Sequence, residues 1–364
     1  VMKLKLGVDI GGTFTDFALA DEETGVMAVY KQLTTPHDLS ECVIDGAHRF
    51  LAAQNAPFNQ VTAVVHGTTV AANAVIERKG AVAGMLTTAG FSDILDIRKE
   101  CRYDLFDLRL QFPEPLIPRR LRFEVHERIR YDGEVVCPLD LDEVRRGVTT
   151  LIDKYNIESL AVCLLNSYKN PLHEQQICAL LAEEFPKLYV SSSFEVFPFM
   201  REYERFTTTA INAYVQPVMD HYLERLEMGL QQQGFRGKVY IMTSCGGIVT
   251  SAIARRFPVR VLESGPTAGA LMAAHMGKLL NIPNLLSYDT GGTTSKGCLI
   301  RGGEPHKKYD MEVARCHRFK SGSGFLMKTP VIDMIEIGAG GGSIAEVDKR
   351  GLIQVGPRSA GADP

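Results

Sequence analysis

Asp9-Ile10-Gly11-Gly12-Thr13-Phe14-Thr15-Asp16 lies between two apolar runs, Leu4 to Ile10 before it and Phe17-Ala18-Leu19-Ala20 after it. Strand, Gly-Gly-Thr turn, strand is the pattern of a β-hairpin. The pattern returns far downstream as Asp289-Thr290-Gly291-Gly292-Thr293-Thr294-Ser295-Lys296, which leaves Leu285 to Tyr288 and re-enters Gly297-Cys298-Leu299-Ile300. One copy would need no explanation beyond a turn, because Gly-Gly turns are common between strands. Two copies matching at Asp, Gly, Gly and Thr are an internal repeat, and a repeat is evidence about architecture. The glycines leave no Cβ to block a close ligand. Backbone N–H groups of such a turn can converge on an anion, with Thr hydroxyls as further donors. The leading carboxylate is placed to hold Mg²⁺, directly or through water. Two such hairpins, one per lobe, suit a nucleoside triphosphate gripped from both sides.

Phosphoryl transfer needs phosphate charge neutralised, a metal held and the acceptor aligned. On that basis Asp9 and Asp289 are the expected catalytic and metal-side carboxylates. Gly11, Gly12, Thr13, Gly291, Gly292 and Thr293 are the expected phosphate cradle, with Thr15, Asp16 and Lys296 as second choices. The run Gly338 to Gly342, containing Gly340, Gly341 and Gly342, follows the second hairpin and is expected to lie flat against adenine or ribose. Elsewhere a glycine run is usually just a flexible loop. His66-Gly67-Thr68-Thr69 ends an apolar strand, and two readings stand open. Thr68 or Thr69 as a helix N-cap explains it without function; a strand-end His66 facing the cleft would act on substrate. Arg98 and Arg102 are candidates to clamp a carboxylate or imide substrate, against the plainer reading of solvated arginines.

The chain has 364 residues, 45% of them hydrophobic and 23% charged. That length suggests about two domains, and the composition is that of a globular protein with a real core. Net charge is −3 and the pI about 6.3, so nothing points to nucleic acid. No segment is long and apolar enough to span a bilayer and no signal peptide opens the chain, so a cytoplasmic protein is expected. The eight cysteines include no C-x-x-C pair and read as reduced thiols. The nine histidines include no H-x-x-x-H pair, so no zinc site follows from spacing. Val1-Met2 suggests an added residue ahead of a natural start, and Gly356 to Pro364 reads as a loop with no closing element, as in part of a longer polypeptide.

The division expected is a first lobe over 1–200, carrying the first hairpin, and a second over 201–364, carrying the second hairpin and the glycine-rich loop. In the first, a third strand over Val26 to Leu33 follows the hairpin, then a helix capped by Asp38 or Ser40 and running to about Ala53. A strand over Val61 to Val65, a helix from Val70 to Glu77 and a strand over Ala81 to Thr87 complete the order of a ribonuclease-H-like lobe. Gly90 to Pro118 is irregular, with prolines 113, 115 and 118; a long irregular segment in a compact domain is often functional. Strands over Phe123 to Ile129 and Glu134 to Cys137, a helix to about Tyr155, and a strand, helix and strand between Leu160 and Val190 follow. Arg201 to Leu230 is the longest helical stretch and a candidate element between lobes, with Pro217 either kinking it or starting a second helix. Lys238 to Met242 and Val331 to Ile337 read as strands.

These residues resemble the hydantoinase/oxoprolinase family, and within it the A-type, ATP-using subunit. The matching stretches are Gly7 to Asp16, His66 to Thr69, Arg201-Glu202-Tyr203-Glu204-Arg205, Glu263-Ser264-Gly265-Pro266, Asp289 to Thr293, Gly338 to Ala345 and Gly356 to Pro364. They run in family order over nearly the whole chain. The resemblance implies an α/β fold of the actin, sugar-kinase and heat-shock-chaperone ATPase type, with two ribonuclease-H-like lobes around a nucleotide cleft. It implies ATP and Mg²⁺ as cofactors and opening of a cyclic amide, such as a hydantoin, 5-oxoproline or a lactam, by phosphorylation of its carbonyl oxygen. A B-type subunit is the implied partner, with no nucleic acid and no membrane. Close relatives serve ATP-dependent ketone carboxylases, and a nucleotide-switched binding protein is the non-enzymatic alternative. Two departures stand out: members often carry Asp where this chain has Lys296, and their chains run on beyond a Gly-Ala-Asp-Pro stretch.

Overall fold

The computed structural model describes residues 3–35, 38–292, 294–317 and 320–360. In chain order its main strands are β1 (Leu4–Ile10), β2 (Phe14–Asp21), β3 (Met27–Leu33), β4 (Val61–Gly67), β5 (Ala83–Thr88), β6 (Arg122–Val125) and β7 (Ser159–Cys163). They continue as β8 (Tyr189–Ser192), β9 (Lys238–Met242), β10 (Ile248–Thr250), β11 (Leu285–Thr290), β12 (Ser295–Arg301), β13 (Glu304–Pro305) and β14 (Ile335–Ile337). The longer helices are α1 (Leu39–Ala53), α2 (Val70–Ile76), α3 (Leu141–Tyr155), α4 (Leu172–Glu184), α5 (Glu202–Gln232) and α6 (Ser264–Leu279). The fold is mixed α/β.

The first sheet has the order β10-β9-β4-β1-β2-β3. Alternation builds it: Leu4, Leu6, Val8 and Ile10 are buried on one face of β1, and Phe17 and Leu19 continue that face on β2, with Leu6 opposite Leu19 and Val8 opposite Phe17. Helix α1 covers this face with Val43, Ala47, Phe50 and Leu51. Asp38 caps it by accepting from the N–H groups of Ser40 and Glu41, at 2.9 and 3.2 Å; such a cap satisfies donors that the first helical turn leaves unpaired. The helix comes so close that a Cβ on Gly46 would sit 2.2 Å from the Phe17 ring.

The strand succession differs from the one expected of the first lobe. The strand expected over Ala81 to Thr87 forms as β5, but in a second, all-parallel sheet of order β8-β7-β5-β6. The place beside β4 is taken by β9, which arrives from beyond residue 200 and runs parallel to β4. Every residue of β5 is buried, which suits a central strand of a parallel sheet covered on both faces. Helix α5 makes the return possible. Its 31 residues pack on α1 and α2 and on β7 and β8 of the second sheet. All of it from Tyr203 to Pro217 is buried, and it runs through Pro217 as one helix rather than restarting there. Packing on several sides outweighs the missing proline donor.

The third sheet is β11-β12, with β13 and β14 end to end along the other edge of β12. The strand expected over Val331 to Ile337 is broken: Val331–Ile332 pairs with Lys307–Lys308, and only Ile335–Ile337 joins β12. Phe123 to Ile129 divides likewise into β6 and the short strand Arg128–Ile129. One large core runs through the first two sheets and α5, whereas the third sheet has a small one of Ala270, Cys298 and Ile332. Among the described residues no helix is long and apolar enough to cross a membrane.

Candidate functional site

Both repeats fold as hairpins with the same turn. Gly11 N–H donates to the Phe14 carbonyl at 2.9 Å, and Gly291 N–H to the Thr294 carbonyl at 2.9 Å. Asp9 opposes Asp16 in the first, and Asp289 opposes Lys296 in the second. The turns meet: a Cβ on Gly292 would lie 3.0 Å from Thr13 Oγ1. At Gly12 a Cβ would point into open space. The first turn is braced from behind by Thr34, whose N–H donates to the Thr13 carbonyl and whose hydroxyl donates to the Gly11 carbonyl, each at 2.9 Å. Thr15, expected among the cofactor-binding residues, belongs to that brace. It is fully buried, 3.0 Å from Thr34 Oγ1 and 3.4 Å from Cys42 Sγ, so it holds the turn and does not face a ligand. Thr293 lies outside the described residues.

Asp9 is the centre of the site. Its carboxyl lies between two backbones: a Cβ on Gly67 would be 2.7 Å from Oδ1, and one on Gly265 2.8 Å. Oδ1 is buried with no hydrogen-bond partner. Burial first, then the charges of Asp16 and Asp289, push its pKa from 3.8 to about 6. A buried acceptor with no donor is what a hydrated cation would satisfy. Among the described residues no group of three or more His, Cys, Asp or Glu gathers to hold a metal by itself. Mg²⁺ commonly uses one or two carboxylates plus phosphate oxygens and water, so Asp9 and Asp289 fit that ion.

The elements around Asp9 are fastened by residues to which the sequence gave no role. Ser264, at the start of α6, accepts from Thr68 N–H and donates to the Thr68 carbonyl, both at 2.9 Å. Glu263 beside it pairs with Lys296 Nζ at 2.7 Å. Gly67, Glu263, Ser264 and Gly265 stood in quoted stretches, but only the fold brings those stretches onto Asp9.

Three further expectations are corrected. His66, expected as catalytic, is fully buried. Its Nδ1 donates to the Val8 carbonyl at 3.2 Å, so Nε2 accepts from the Tyr222 hydroxyl at 2.7 Å. Burial lowers its pKa to about 4, and it positions the strand end that carries Gly67. Arg98 is also engaged elsewhere. Nε donates to Tyr203 Oη at 3.0 Å, Nη2 to the Gly324 carbonyl, and the guanidinium lies over the Phe112 ring at 4.4 Å. Tyr203 begins α5, whereas Tyr222, which holds His66 near Asp9, lies about 28 Å further along at the helical rise per residue. Arg102 is exposed and donates to the Asp107 carbonyl in its own loop. Neither arginine is brought to the hairpins.

The glycine-rich loop is brought there. Gly341 and Gly342 donate to the carbonyls of Gly291 and Gly292 at 2.9 and 2.8 Å, and Gly340 donates to Ser343 Oγ at 2.9 Å. These N–H groups are engaged within the protein and tie the loop to the second turn.

The description "hydantoinase/oxoprolinase N-terminal region" matches residues 5–185, and "hydantoinase/oxoprolinase" matches residues 205–364. The chain is 37% identical to an uncharacterized protein of Methanocaldococcus jannaschii, over 100% of this chain and 54% of that one. It is 34% identical to the caprolactamase subunit alpha of Pseudomonas jessenii, over 99% of this chain and 51% of that one. The crystal structure of the ATP-dependent caprolactamase from that organism superposes with a TM-score of 0.84, covering 99% of this chain and 51% of that chain at 34% identity. Nucleotide-free acetone carboxylase superposes with a TM-score of 0.83 at 28% identity, covering 100% of this chain and 52% of that chain. The chain thus spans about half the length of the curated relatives it matches. With matches in order over both parts, the chain belongs to the hydantoinase/oxoprolinase family, A type.

Proposed function

We propose that the protein supplies the ATP-using half of an enzyme that opens a cyclic amide, a hydantoin, 5-oxoproline or a lactam, by phosphorylating its carbonyl oxygen. The observation that carries this reading is the pair of like turns meeting at Thr13 and Gly292, with Asp9 and Asp289 close enough for charge coupling. The family and the ATP-dependent caprolactamase relative support it. ATP would supply the phosphoryl group and Mg²⁺ the neutralising charge. Gly11, Gly12, Gly291 and Gly292 let backbone approach phosphates, Asp9 and Asp289 hold the metal side, and the loop at Gly340 to Gly342 lies beside the second turn. The reading keeps two lobes around that nucleotide in a cytoplasmic protein working with a B-type subunit, but their division does not fall at residue 200, because β9 and β10 complete the first sheet.

The chemical logic is that an unstrained amide is a poor electrophile. Phosphorylating its oxygen opens the carbon to water. The adduct then breaks its C–N bond, releasing the ring nitrogen as an amine and leaving an acyl phosphate. A second water attacks that carbonyl carbon and releases phosphate carrying the original carbonyl oxygen. Oxygen from a labelled amide carbonyl should then appear in released phosphate, one atom per ring opened by the full-length protein with its partner. Label held wholly in the carboxylate product, with ATP still consumed, would show that nucleotide drives a conformational change instead. A second reading, ketone carboxylation, is favoured by relatives named acetophenone carboxylase gamma subunit and acetone carboxylase beta subunit, 31% and 29% identical. Bicarbonate carbon entering the product would establish it.

A further inference from the structure

On the first sheet, the face opposite α1 carries a trough of about 600 Å³ that ends at Asp9. That volume is within the range of about 300–1,000 Å³ found for small-molecule sites. The register defines its floor. Residues directly opposed on neighbouring strands share a face, and two rows result. One is Lys31, Asp16, Asp9 and Gly67; the other is Val29, Ala18, Gly7 and Val65. The first row is charged and the second is apolar, with the smallest side chains at its centre. Helix α6 closes the far side at Ala268. A flat ring laid over Gly7 and Ala18 would turn its edge toward Asp9, which lines the same trough.

The charges restrict what can lie there. Lys31 is the one cation among the described lining residues, and it pairs with Asp16 at 3.0 Å. With Asp9 the row holds two carboxylates against one ammonium, and bound Mg·ATP would add net negative charge. A substrate carboxylate would meet no free cation and a like charge, which disfavours it. Arg98 and Arg102, the arginines the sequence offered for such a group, do not line the trough. Relying on the proposed cyclic-amide reaction, we infer that this trough is the acceptor site and that it takes a neutral, apolar lactam rather than a carboxylated one such as 5-oxoproline.

The test is steady-state ADP release by the full-length protein with its partner subunit, using an unsubstituted lactam and 5-oxoproline. The expected preference in kcat/KM for the neutral ring is about tenfold or more. Ala18→Phe fills the trough and should raise KM for the lactam about tenfold, leaving the calorimetric Kd for ATP unchanged. Val29 is 78% exposed, so Val29→Lys should fold, and by adding a cation to the apolar row it should narrow the preference about tenfold. Faster turnover of 5-oxoproline by the wild type overturns the inference and leaves the reaction standing. So does an Ala18→Phe protein with unchanged KM, including one in which the substitution instead weakens assembly and so marks the face as a protein contact. No turnover of any cyclic amide, with a ketone carboxylated instead, overturns the reaction and this occupant together.

Discussion

Burial, then the neighbouring charges of Asp16 and Asp289, give the Asp9 carboxyl a pKa of about 6 against 3.8 in the unfolded chain. A raised acid pKa means that the folded state binds the proton more tightly, so stability falls as pH rises from about 3.8 to 6 and is level above that. The gap corresponds to about 3 kcal/mol at neutral pH. Asp9→Asn keeps the shape and removes the charge. It should raise the urea midpoint near neutral pH without nucleotide, lose that advantage below pH 3.8, and abolish turnover. A variant no more stable than wild type at neutral pH would show that the charge is not strained. Gly12 tests the cradle separately. Its Cβ direction is open, so Gly12→Val should fold normally and lose ATP binding because the side chain occupies the place of the phosphates. Unchanged ATP affinity by calorimetry would remove the first turn from the cradle. That Asp9, Gly12 and Gly292 belong to two like turns was legible because residue type and repeat coincide. His66 and Thr15 were misjudged because a polar residue at a strand end reads the same whether it faces a cleft or a core. Gly67 and Gly265 went without a role because their reason, the Asp9 carboxyl 2.7 and 2.8 Å from where a Cβ would be, exists only in three dimensions.

Elements encoded by local pattern were the most legible: both hairpins, α1 with its Asp38 cap, and α3 with its end at Tyr155 form where the sequence places them. Strand partnership was not, because β5 and β9 are short apolar runs of similar appearance, and α5 decides which one reaches β4. The start of α5 also explains a family stretch. Arg205 is fully buried and donates to the carbonyls of Leu164 and Phe199 at 2.7 and 2.9 Å and to Ser193 Oγ at 3.1 Å. Glu174, also buried, accepts from Leu164 N–H at 2.8 Å and from Ser193 Oγ at 2.6 Å. The two charges share Leu164 and Ser193 and tie α5 to the second sheet and α4. Arg205→Met leaves the carboxylate without its cation and should cost about 3–5 kcal/mol. Glu174→Gln in that background should recover part of the loss, since contacting residues couple. Urea unfolding of the four proteins gives the cycle, and additive losses would mean that the two side chains act independently.

At the scale of the whole molecule, one cluster of buried side chains unites the first two sheets, while the third sheet rests on α6 through a small one. Its other face is open: Leu286 is opposite Leu299, and Tyr288 is in line with Gly297 and Ile335. Tyr288 is 60% and Ile335 68% exposed. The equivalent positions in the first repeat, Leu6, Val8 and Leu19, are buried under α1. Such a contrast could not be read from the sequence, where the two hairpins look alike; it depends on what each hairpin packs against. Local opening free energy follows buried contacts, so β11 and β12 should exchange amide hydrogens faster than β1 and β4 in the protein without nucleotide. Mg·ATP bound between the turns would link the two regions. At a hundredfold excess over its Kd it should stabilise whatever opening releases it by about 2.7 kcal/mol, slowing exchange about a hundredfold. That protection should appear in both Gly-Gly-Thr turns and in the loop at Gly340 to Gly342, which is hydrogen-bonded to the second turn. Hydrogen exchange followed by mass spectrometry, with and without Mg·ATP, reads both effects. Equal exchange in the two hairpins without nucleotide would contradict the packing argument. Protection of one turn alone would show that the nucleotide sits on one hairpin instead of between two.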